Sequence, residues 1–317
     1  MKPTVLITYE IPQVAYAFLR RRYSVTWNKK KLTEDQLTRK IGPYQGLLTT
    51  LADPLTSRVL RAGRALKVVA NFAVGFNNID LAAARELGIR VTNTPEVLTD
   101  ATADLTWALL LSCARRIPEG ERLVRSGKFK GTHPLMLLGL DLRGKTLGIY
   151  GCGRIGQAVA RRSRGWDMKV IYHNRRRLDP RLERPLGARF VPFDRLVQES
   201  DFLVVTAPLT PETRGRFTYR DFKRMKPTAV FINTGRGPIH IEKDLARALG
   251  EGIPFYAGLD VYEKEPQVDP RLLRSDRVTL LPHIGSATVQ TRDTMALLAA
   301  RNIDLVLNGK EPLTPVT

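Results

Sequence analysis

The stretch TLGIYGCGRIGQAVARR, residues 146–162, decides the fold of the second half of the chain. An apolar strand runs directly into Gly151-x-Gly153-x-x-Gly156, and a helix follows. In such a unit the first glycine allows a tight turn, the second lets the backbone approach a pyrophosphate, and the third lets helix and strand pack closely. The helix N-terminus offers N–H groups and partial positive charge to the phosphates. The stretch therefore predicts a dinucleotide site, with a tight turn that holds no ligand as the alternative.

Short apolar strands alternate with amphipathic helices on both sides of this stretch. The predicted strands are 5–8, 23–28, 46–51, 67–71, 89–93, 146–150, 168–172, 188–191, 202–207, 229–233, 255–262 and 277–281. One helix should begin at Asp80 and end at Gly88, a long helical region should cover about 99–127, and a final helix about 288–307. The alternation indicates parallel α/β sheets, and its restart after the loop at 131–144 indicates two domains.

The composition limits the class of protein. The longest apolar run, 105–114, is shorter than the roughly 20 residues that a membrane-spanning helix needs, and the N-terminus enters a strand directly, so neither a membrane segment nor a cleaved leader is expected. With two cysteines, Cys113 and Cys152, we expect no disulfide framework and no metal site, and we predict a reducing cytoplasm.

The net charge of +20 allows two interpretations. It can be a solvated, arginine-rich surface, or a positive field that gathers anionic ligands. Because the chain carries no nucleic-acid recognition motif, we do not expect a nucleic-acid partner.

Arginines occupy the position that usually decides between NAD and NADP. An acid normally follows the second strand of the unit, about 20 residues after the glycines, and binds the ribose 2′-OH. Here the strand at 168–172 runs into His173-Asn174-Arg175-Arg176-Arg177, and no acid follows until Asp179. Guanidinium groups bind a 2′-phosphate bidentately. We therefore expect NADP(H) to be preferred over NAD(H), with a solvated arginine turn as the alternative.

Three further side chains follow strands of the same predicted sheet, where open α/β folds bind ligands. Arg236 follows 229–233, Glu265 follows 255–262 with Asp260 just before it, and His283 follows 277–281. Each alone is more often structural, but together they suit reduction of a 2-oxo acid. Arg236 would hold the carboxylate and polarise the carbonyl. His283 would protonate the alkoxide, and Glu265 would fix its tautomer and favour the protonated ring, so Glu265→Gln should lower the apparent pKa of reduction.

At this point the chain resembles the D-isomer-specific 2-hydroxyacid dehydrogenases over essentially its full length, and within them the glyoxylate/hydroxypyruvate reductases. The matching stretches are VANFAVGFNNIDLAAARELGIRVTNTPEVLTDATADLTWALLL (68–111), HPLMLLG (133–139), GKTLGIYGCGRIGQAVARR (144–162), INTGRGP (232–238), LDVYEKEP (259–266) and LPHIGSAT (281–288). This many ordered motifs are far more specific than the glycine pattern alone.

The resemblance implies the fold, the domains and the site. It implies a Rossmann-type doubly wound parallel sheet for the cofactor, over 99–288, and a flavodoxin-like α/β substrate domain made of 1–98 and 289–317, with the active cleft between them. It implies Arg236, Glu265 and His283 as catalytic residues. The implied substrate contacts are Val74, Gly75 and Arg236, and the implied cofactor contacts are Gly151, Gly153, Arg154, Ile155, Gly156, Asn174, Arg175, Arg176, Thr234, Gly235, Asp260 and Gly285.

The resemblance further implies a small 2-oxo or 2-hydroxy acid as substrate, and a homodimer formed through 99–140. Two positions depart from the family: Thr132 stands where a tryptophan is frequent, and His240 replaces a small aliphatic residue. A D-3-phosphoglycerate dehydrogenase-like enzyme, another D-2-hydroxyacid dehydrogenase and a non-enzymatic dinucleotide-sensing protein of the same fold stay open as alternatives.

Overall fold

The computed structural model describes residues 2–317 and forms two compact units. One unit contains the chain up to Leu98 together with Ser286–Thr317, and the other is Thr99–Gly285. Each unit has its own parallel sheet with helices on its faces, so the α/β fold class expected from the alternating pattern is confirmed.

The first unit is built on a five-stranded sheet in the order β2-β1-β3-β4-β5, the order typical of flavodoxin-like domains. Its strands are β1 (Thr4–Ile7), β2 (Ser24–Trp27), β3 (Gly46–Thr49), β4 (Val68–Asn71) and β5 (Arg90–Thr92). Its helices are α1 (Gln13–Leu19), α2 (Glu34–Lys40), α3 (Ser57–Ala62), α4 (Leu81–Glu86) and, from the end of the chain, the helix at Val289–Leu307. The last helix packs on α1, β3 and β4, and α2, α3 and α4 cover the other face.

Local sequence signals set the helix ends in this unit. Thr33 and Gln36 form a capping box at the start of α2. Asp80 accepts a hydrogen bond from the N–H of Ala83 at the start of α4, and Gly88 follows the helix with a positive φ of 68°, as the sequence predicts.

The second unit is built on a seven-stranded sheet. Its strands are β6 (Thr146–Tyr150), β7 (Lys169–His173), β8 (Ala188–Phe190), β9 (Phe202–Val205), β10 (Val230–Asn233), β11 (Tyr256–Leu259) and β12 (Val278–Leu280). Its α-helices are α5 (Thr99–Ala114), α6 (Ile117–Arg125), α7 (Arg154–Arg162), α8 (Pro180–Leu186), α9 (Phe193–Glu199), α10 (Tyr219–Lys223), α11 (Glu242–Gly250) and α12 (Pro270–Leu273), so the helix at Val289–Leu307 is α13.

The strand order β12-β11-β10-β9-β6-β7-β8 is that of a Rossmann-type doubly wound sheet. Apolar clusters cover both faces of this sheet, which explains why its central strands are apolar along their whole length. The direction of winding reverses between β6 and β9, and ligands of such sheets bind at the carboxyl ends of the strands beside this reversal. The glycine turn at 151–156 leaves β6 at this point.

All twelve predicted strands are present, and the long helical region predicted over about 99–127 is helical over most of its length. The region is divided into α5 and α6, because Arg116 adopts a left-handed backbone with φ of 51°, and Pro118 lies in the first turn of the second helix. A residue with left-handed backbone cannot continue a right-handed helix, and the hydrophobic pattern of 99–127 does not indicate a break at Arg116.

Two further predictions concern the cysteines and the membrane. Cys113 and Cys152 are buried and not joined in a disulfide. Within residues 2–317 we find no helix with the length and hydrophobicity needed to cross a bilayer. The cytoplasmic location stays a prediction.

Candidate active site

Each glycine of the turn after β6 meets a different steric demand. Gly151 has φ of 93°, and a Cβ there would lie 2.4 Å from the backbone of Ala207. A Cβ on Gly156 would lie 2.7 Å from the carbonyl oxygen of Gly151. A Cβ on Gly153, in contrast, would meet no atom within 4 Å. The outer two glycines are therefore required by the fold, whereas Gly153 keeps space open in front of the helix.

This open space fits the pyrophosphate of a dinucleotide. Gly153 is the N-cap of α7 and offers no side chain to cap the helix. Helix N–H groups that lack a cap and face open space bind phosphate oxygens well. Arg154 and Ile155 lie in the first turn of α7, which places all of the predicted glycine-loop residues at one helix end.

Neighbouring side chains hold the turn in this shape. Asn174, at the end of β7, accepts a hydrogen bond from the N–H of Cys152 at 2.6 Å. Thr206, just beyond β9, donates its hydroxyl to the carbonyl of Gly151 at 2.8 Å. Asn174 was predicted to contact the cofactor, and the structure places it against the glycine turn, whereas Thr206 was missed because nothing in its local sequence marks it.

The three arginines after β7 are not equivalent. Arg177 forms two bonds with the carboxylate of Glu183, at 2.8 and 2.6 Å, and Glu183 also accepts a bond from the hydroxyl of Tyr172. The Arg177 and Tyr172 bonds hold the pKa of Glu183 at about 2. Arg175 and Arg176 are exposed and form no salt bridge among the described residues. Arg177 therefore stabilises the strand end, and Arg175 and Arg176 are the two arginines left exposed, so their contact with a 2′-phosphate stays a prediction.

The predicted catalytic residues follow three adjacent strands. Arg236 follows β10, Glu265 follows β11 and His283 follows β12, and these strands are neighbours in the order β12-β11-β10. Carboxyl ends of neighbouring parallel strands share one edge of a sheet, so distant parts of the sequence meet there. The sequence predicted this shared edge from strand positions alone.

Glu265 and His283 form a direct pair. Nδ1 of His283 lies 2.7 Å from Oε2 of Glu265, and the other carboxylate oxygen accepts the N–H of Tyr262. A carboxylate on Nδ1 fixes that nitrogen as the proton donor and leaves Nε2 for chemistry. Burial acts to raise the pKa of Glu265. The hydrogen bond and the charge of His283, the N–H of Tyr262 and the charge of Arg236 outweigh this effect, so the pKa of Glu265 lies below its usual value.

Asp260 holds the turn that carries His283. Its two carboxylate oxygens accept the N–H groups of Ile284 and Gly285, each at 2.8 Å. His283 has φ of 57°, a left-handed backbone that costs a residue other than glycine about 1 kcal/mol or more and needs such support. Asp260 and Gly285 were predicted to contact the cofactor; the structure shows instead that they join β11 to the His283 turn, and the cofactor contact stays a prediction.

Arg236 is held by its own turn. Its guanidinium donates to the carbonyl of Gly235 at 2.7 Å, and its backbone carbonyl accepts a bond from the side chain of Asn233 at 3.0 Å. Burial lowers the pKa of Arg236, and the negative charge of Glu265 opposes this effect. Thr234, also in this turn, shares a hydrogen bond of 2.8 Å with Thr106 of α5.

Val74 and Gly75 lie in the first unit, in the turn after β4. The carbonyl of Val74 accepts a bond from Asn93 and that of Gly75 accepts one from Asn71, both at 2.8 Å. Because C=O and N–H of a trans peptide point in opposite directions, the bond to Val74 turns the N–H of Gly75 away from Asn93. Asn71 and Asn93 thus fix this turn, and the predicted contact of Val74 and Gly75 with the substrate carboxylate stays a prediction.

The chemistry available in the second unit is acid–base chemistry and anion binding. Among residues 2–317 no group of three or more histidine, cysteine or acidic side chains is arranged to hold a metal ion. A carboxylate-bound imidazole, a partly buried guanidinium and an open helix N-terminus together suit transfer of a hydride to a carbonyl with protonation of its oxygen.

Comparisons with known proteins agree with this chemistry. Residues 107–285 match the family model described as D-isomer specific 2-hydroxyacid dehydrogenase, NAD binding domain. A glyoxylate reductase of Thermococcus onnurineus is 46% identical, covering 100% of this chain and 96% of that protein. Among solved structures, a protein of Thermus thermophilus aligns with a TM-score of 0.93 at 42% identity, covering 99% and 100% of the two chains. An NADPH-dependent glyoxylate/hydroxypyruvate reductase of Sinorhizobium meliloti, in complex with NADP and malonate, aligns with a TM-score of 0.91 at 34% identity, covering 100% and 97%.

Proposed function

The chain belongs to the D-isomer specific 2-hydroxyacid dehydrogenase family, and we propose that it reduces glyoxylate and hydroxypyruvate to the D-2-hydroxy acid with NADPH as the preferred cofactor. The observation that carries this proposal is the bond of 2.7 Å between Glu265 and His283, at the sheet edge that also holds Arg236. Reduction of a 2-oxo acid needs a proton donor and a fixed cation, and this edge supplies both.

We assign one role to each residue of this edge. Arg236 binds the substrate carboxylate and polarises the carbonyl, with the amides of Val74 and Gly75 as further carboxylate donors. His283 delivers the proton to the carbonyl oxygen from Nε2, since Nδ1 is bonded to Glu265. Glu265 stabilises the protonated imidazole. A nicotinamide cofactor, when bound, would supply the hydride. The glycine turn and the α7 N-terminus would hold its phosphates, and Asn174 holds the turn in shape.

The preference for NADPH rests on two exposed arginines. Arg175 and Arg176 are exposed just beyond the end of β7, and no acidic residue follows the strand in the sequence until Asp179. The S. meliloti reductase, which is NADPH-dependent, shares the fold over its length and supports the same choice.

A homodimer formed through 99–140 is supported by exposed apolar side chains. Ile117, Val124, Phe129, Leu135 and Leu138 are between 45% and 71% exposed, although they are large and apolar. Apolar groups gathered in one segment of a surface mark sites of association. We propose that a second copy of the chain covers them.

The test is a matrix of four substrates and two cofactors. Glyoxylate, hydroxypyruvate, pyruvate and phosphohydroxypyruvate are each mixed with the protein and either NADPH or NADH, and nicotinamide absorbance is followed. We expect the highest kcat/KM for glyoxylate or hydroxypyruvate with NADPH. A higher value for phosphohydroxypyruvate would favour a phosphoglycerate dehydrogenase, and no oxidation of either cofactor would refute the proposed reduction.

Arg236→Ala and His283→Ala serve as the active-site controls for this matrix. If both abolish turnover while the protein still binds NADPH, the activity belongs to this site. If turnover survives both changes, the proposed site is wrong.

A further inference from the structure

His240 lies in the core of the second unit and contacts the turn that carries Arg236. Its side chain is fully buried, and its ring packs edge-on against Phe231 of β10. Nδ1 lies 3.0 Å from the side-chain nitrogen of Asn233, the last residue of β10. A polar ring in this apolar position is unusual, because burial of a polar group is unfavourable unless it forms a hydrogen bond.

The bonds of Asn233 fix the direction of the bond to His240. The side-chain oxygen of Asn233 accepts the N–H of Gly235 at 3.0 Å, and the side-chain nitrogen donates to the carbonyl of Arg236 at 3.0 Å. The nitrogen of an amide side chain has only donor hydrogens, so Nδ1 of His240 is the acceptor and the ring proton resides on Nε2. Nε2 is itself buried and has no hydrogen-bond partner within residues 2–317, so Nδ1 makes the only side-chain hydrogen bond of this ring among the described residues. Burial lowers the pKa of His240 to about 4, against a smaller opposing effect of the Gly237 carbonyl, and the ring is therefore neutral.

We propose that His240 is a positioning residue for Arg236 and acts through Asn233. The acceptor at Nδ1 orients the amide of Asn233, and the oriented amide bonds on one side to the N–H of Gly235 and on the other to the carbonyl of Arg236. Both donor hydrogens and the oxygen of Asn233 are then used, so its rotation would break three bonds at once. The turn that carries Arg236 is thus held by His240, a buried side chain that we do not assign to contact with substrate or cofactor.

A histidine suits this role because it places an acceptor close to the backbone without a charge. Nδ1 is two bonds from Cβ, and the side-chain oxygen of an asparagine stands at the same distance. An aliphatic residue such as leucine fills similar space but accepts no hydrogen bond, so Asn233 would keep a buried donor without a partner.

The experiment compares His240→Leu with His240→Asn in the full-length protein. The inference rests on the proposed function for its kinetic readout, so hydrogen exchange of the Gly235 amide is measured as well, without substrate. For His240→Leu we expect KM for glyoxylate to rise about tenfold with a smaller change in kcat, and exchange at Gly235 to accelerate about tenfold, which corresponds to loss of one buried hydrogen bond. For His240→Asn we expect KM and the exchange rate of Gly235 to stay within about threefold of the wild type, because the acceptor is kept.

Thr279→Val is the matched control. It removes a buried hydroxyl from β12, two strands away from β10, and should change neither KM nor the exchange rate of Gly235.

The outcomes separate the inference from its alternatives. An unchanged KM and unchanged Gly235 exchange in His240→Leu would overturn it, as would a His240→Asn variant as impaired as the leucine variant. If His240 only stabilised the fold, the leucine variant would lower the amount of folded protein and kcat, but not change KM. If His240→Leu does not fold, the asparagine variant alone decides, since a raised KM there overturns the inference and a normal one supports it. If the wild type reduces no 2-oxo acid, the proposed function fails, and the exchange of Gly235 still decides whether His240 holds the turn.

Discussion

Replacement of Glu265 by glutamine should move the pH dependence of reduction to lower pH. The carboxylate lies 2.7 Å from Nδ1 of His283, and its charge favours the protonated ring that delivers the proton. Glutamine keeps the size of the side chain but removes the charge. In the variant the alkaline fall in activity should therefore begin at lower pH than in the wild type.

The size of the shift follows from the strength and exposure of this pair. A hydrogen bond to a charged group contributes about 1.5–3 kcal/mol. Because the side chains of His283 and Glu265 are 32% and 36% exposed, solvent screens part of this energy, and we take a value near the lower limit. About 1.4 kcal/mol corresponds to one pH unit, so the alkaline limb should shift down by about one unit.

The assay is kcat/KM for glyoxylate with NADPH, measured from acidic to alkaline pH in both proteins. Glu263→Gln is the matched control, because Glu263 is a neighbouring acid that accepts a bond from the N–H of Glu242 and forms no bond with His283. The control should keep the wild-type profile. A Glu265→Gln profile that is lower at every pH but has an unshifted alkaline limb would refute the charge argument and leave Glu265 only an orienting role.

Three further predictions concern the cofactor site. Arg175→Ala should weaken NADPH binding about tenfold and leave NADH binding unchanged. Arg177→Ala should lower the melting temperature but keep the wild-type ratio of the Kd values for NADH and NADPH. If titrations gave the same Kd ratio for the two variants, the distinction between the arginines would be contradicted. Gly153→Ala should fold with an unchanged melting temperature but bind dinucleotide weakly, since its methyl group would enter open space, while Gly156→Ala should destabilise the protein because its Cβ would lie 2.7 Å from a backbone oxygen. Glu183→Gln should lower the free energy of unfolding above about pH 4.5, and this free energy should fall less in the variant than in the wild type between pH 4.5 and pH 2. The reason is that the pKa of Glu183 in the folded protein, about 2, lies below the usual 4.5, so its stabilisation is present above pH 4.5 and lost as the pH falls toward 2. Identical acid-unfolding curves for the two proteins would count against this.

The regular part of the fold could be predicted from the sequence because its signals are local. Apolar runs of the strands, the capping Asp80 and the three glycines each act within a few residues. The left-handed Arg116 that divides α5 from α6 could not be predicted, because this conformation is uncommon in residues other than glycine and no neighbouring sequence signal marks it.

The site was predictable to a different degree at each residue. That Arg236, Glu265 and His283 lie at one edge of the sheet could be predicted, because the strand ends of one parallel sheet share an edge. The difference between Arg175 and Arg177 could not, since it depends on Glu183, which reaches back from α8. The bond between Asn233 and His240 likewise could not be predicted, because it depends on the 3₁₀ turn at Gly237–Ile239 that brings His240 back to the end of β10. The hydrophobic pattern of the sequence does not indicate this turn.

A crystal structure of the protein with NADPH and oxalate, which resembles a 2-oxo acid but cannot be reduced, tests the assignment of the active site most directly. We predict that the guanidinium of Arg236 and Nε2 of His283 both lie within hydrogen-bonding distance of oxalate oxygens, while Glu265 stays on Nδ1. An oxalate bound elsewhere, or a His283 ring that has left Glu265 and faces away from the ligand, would contradict it.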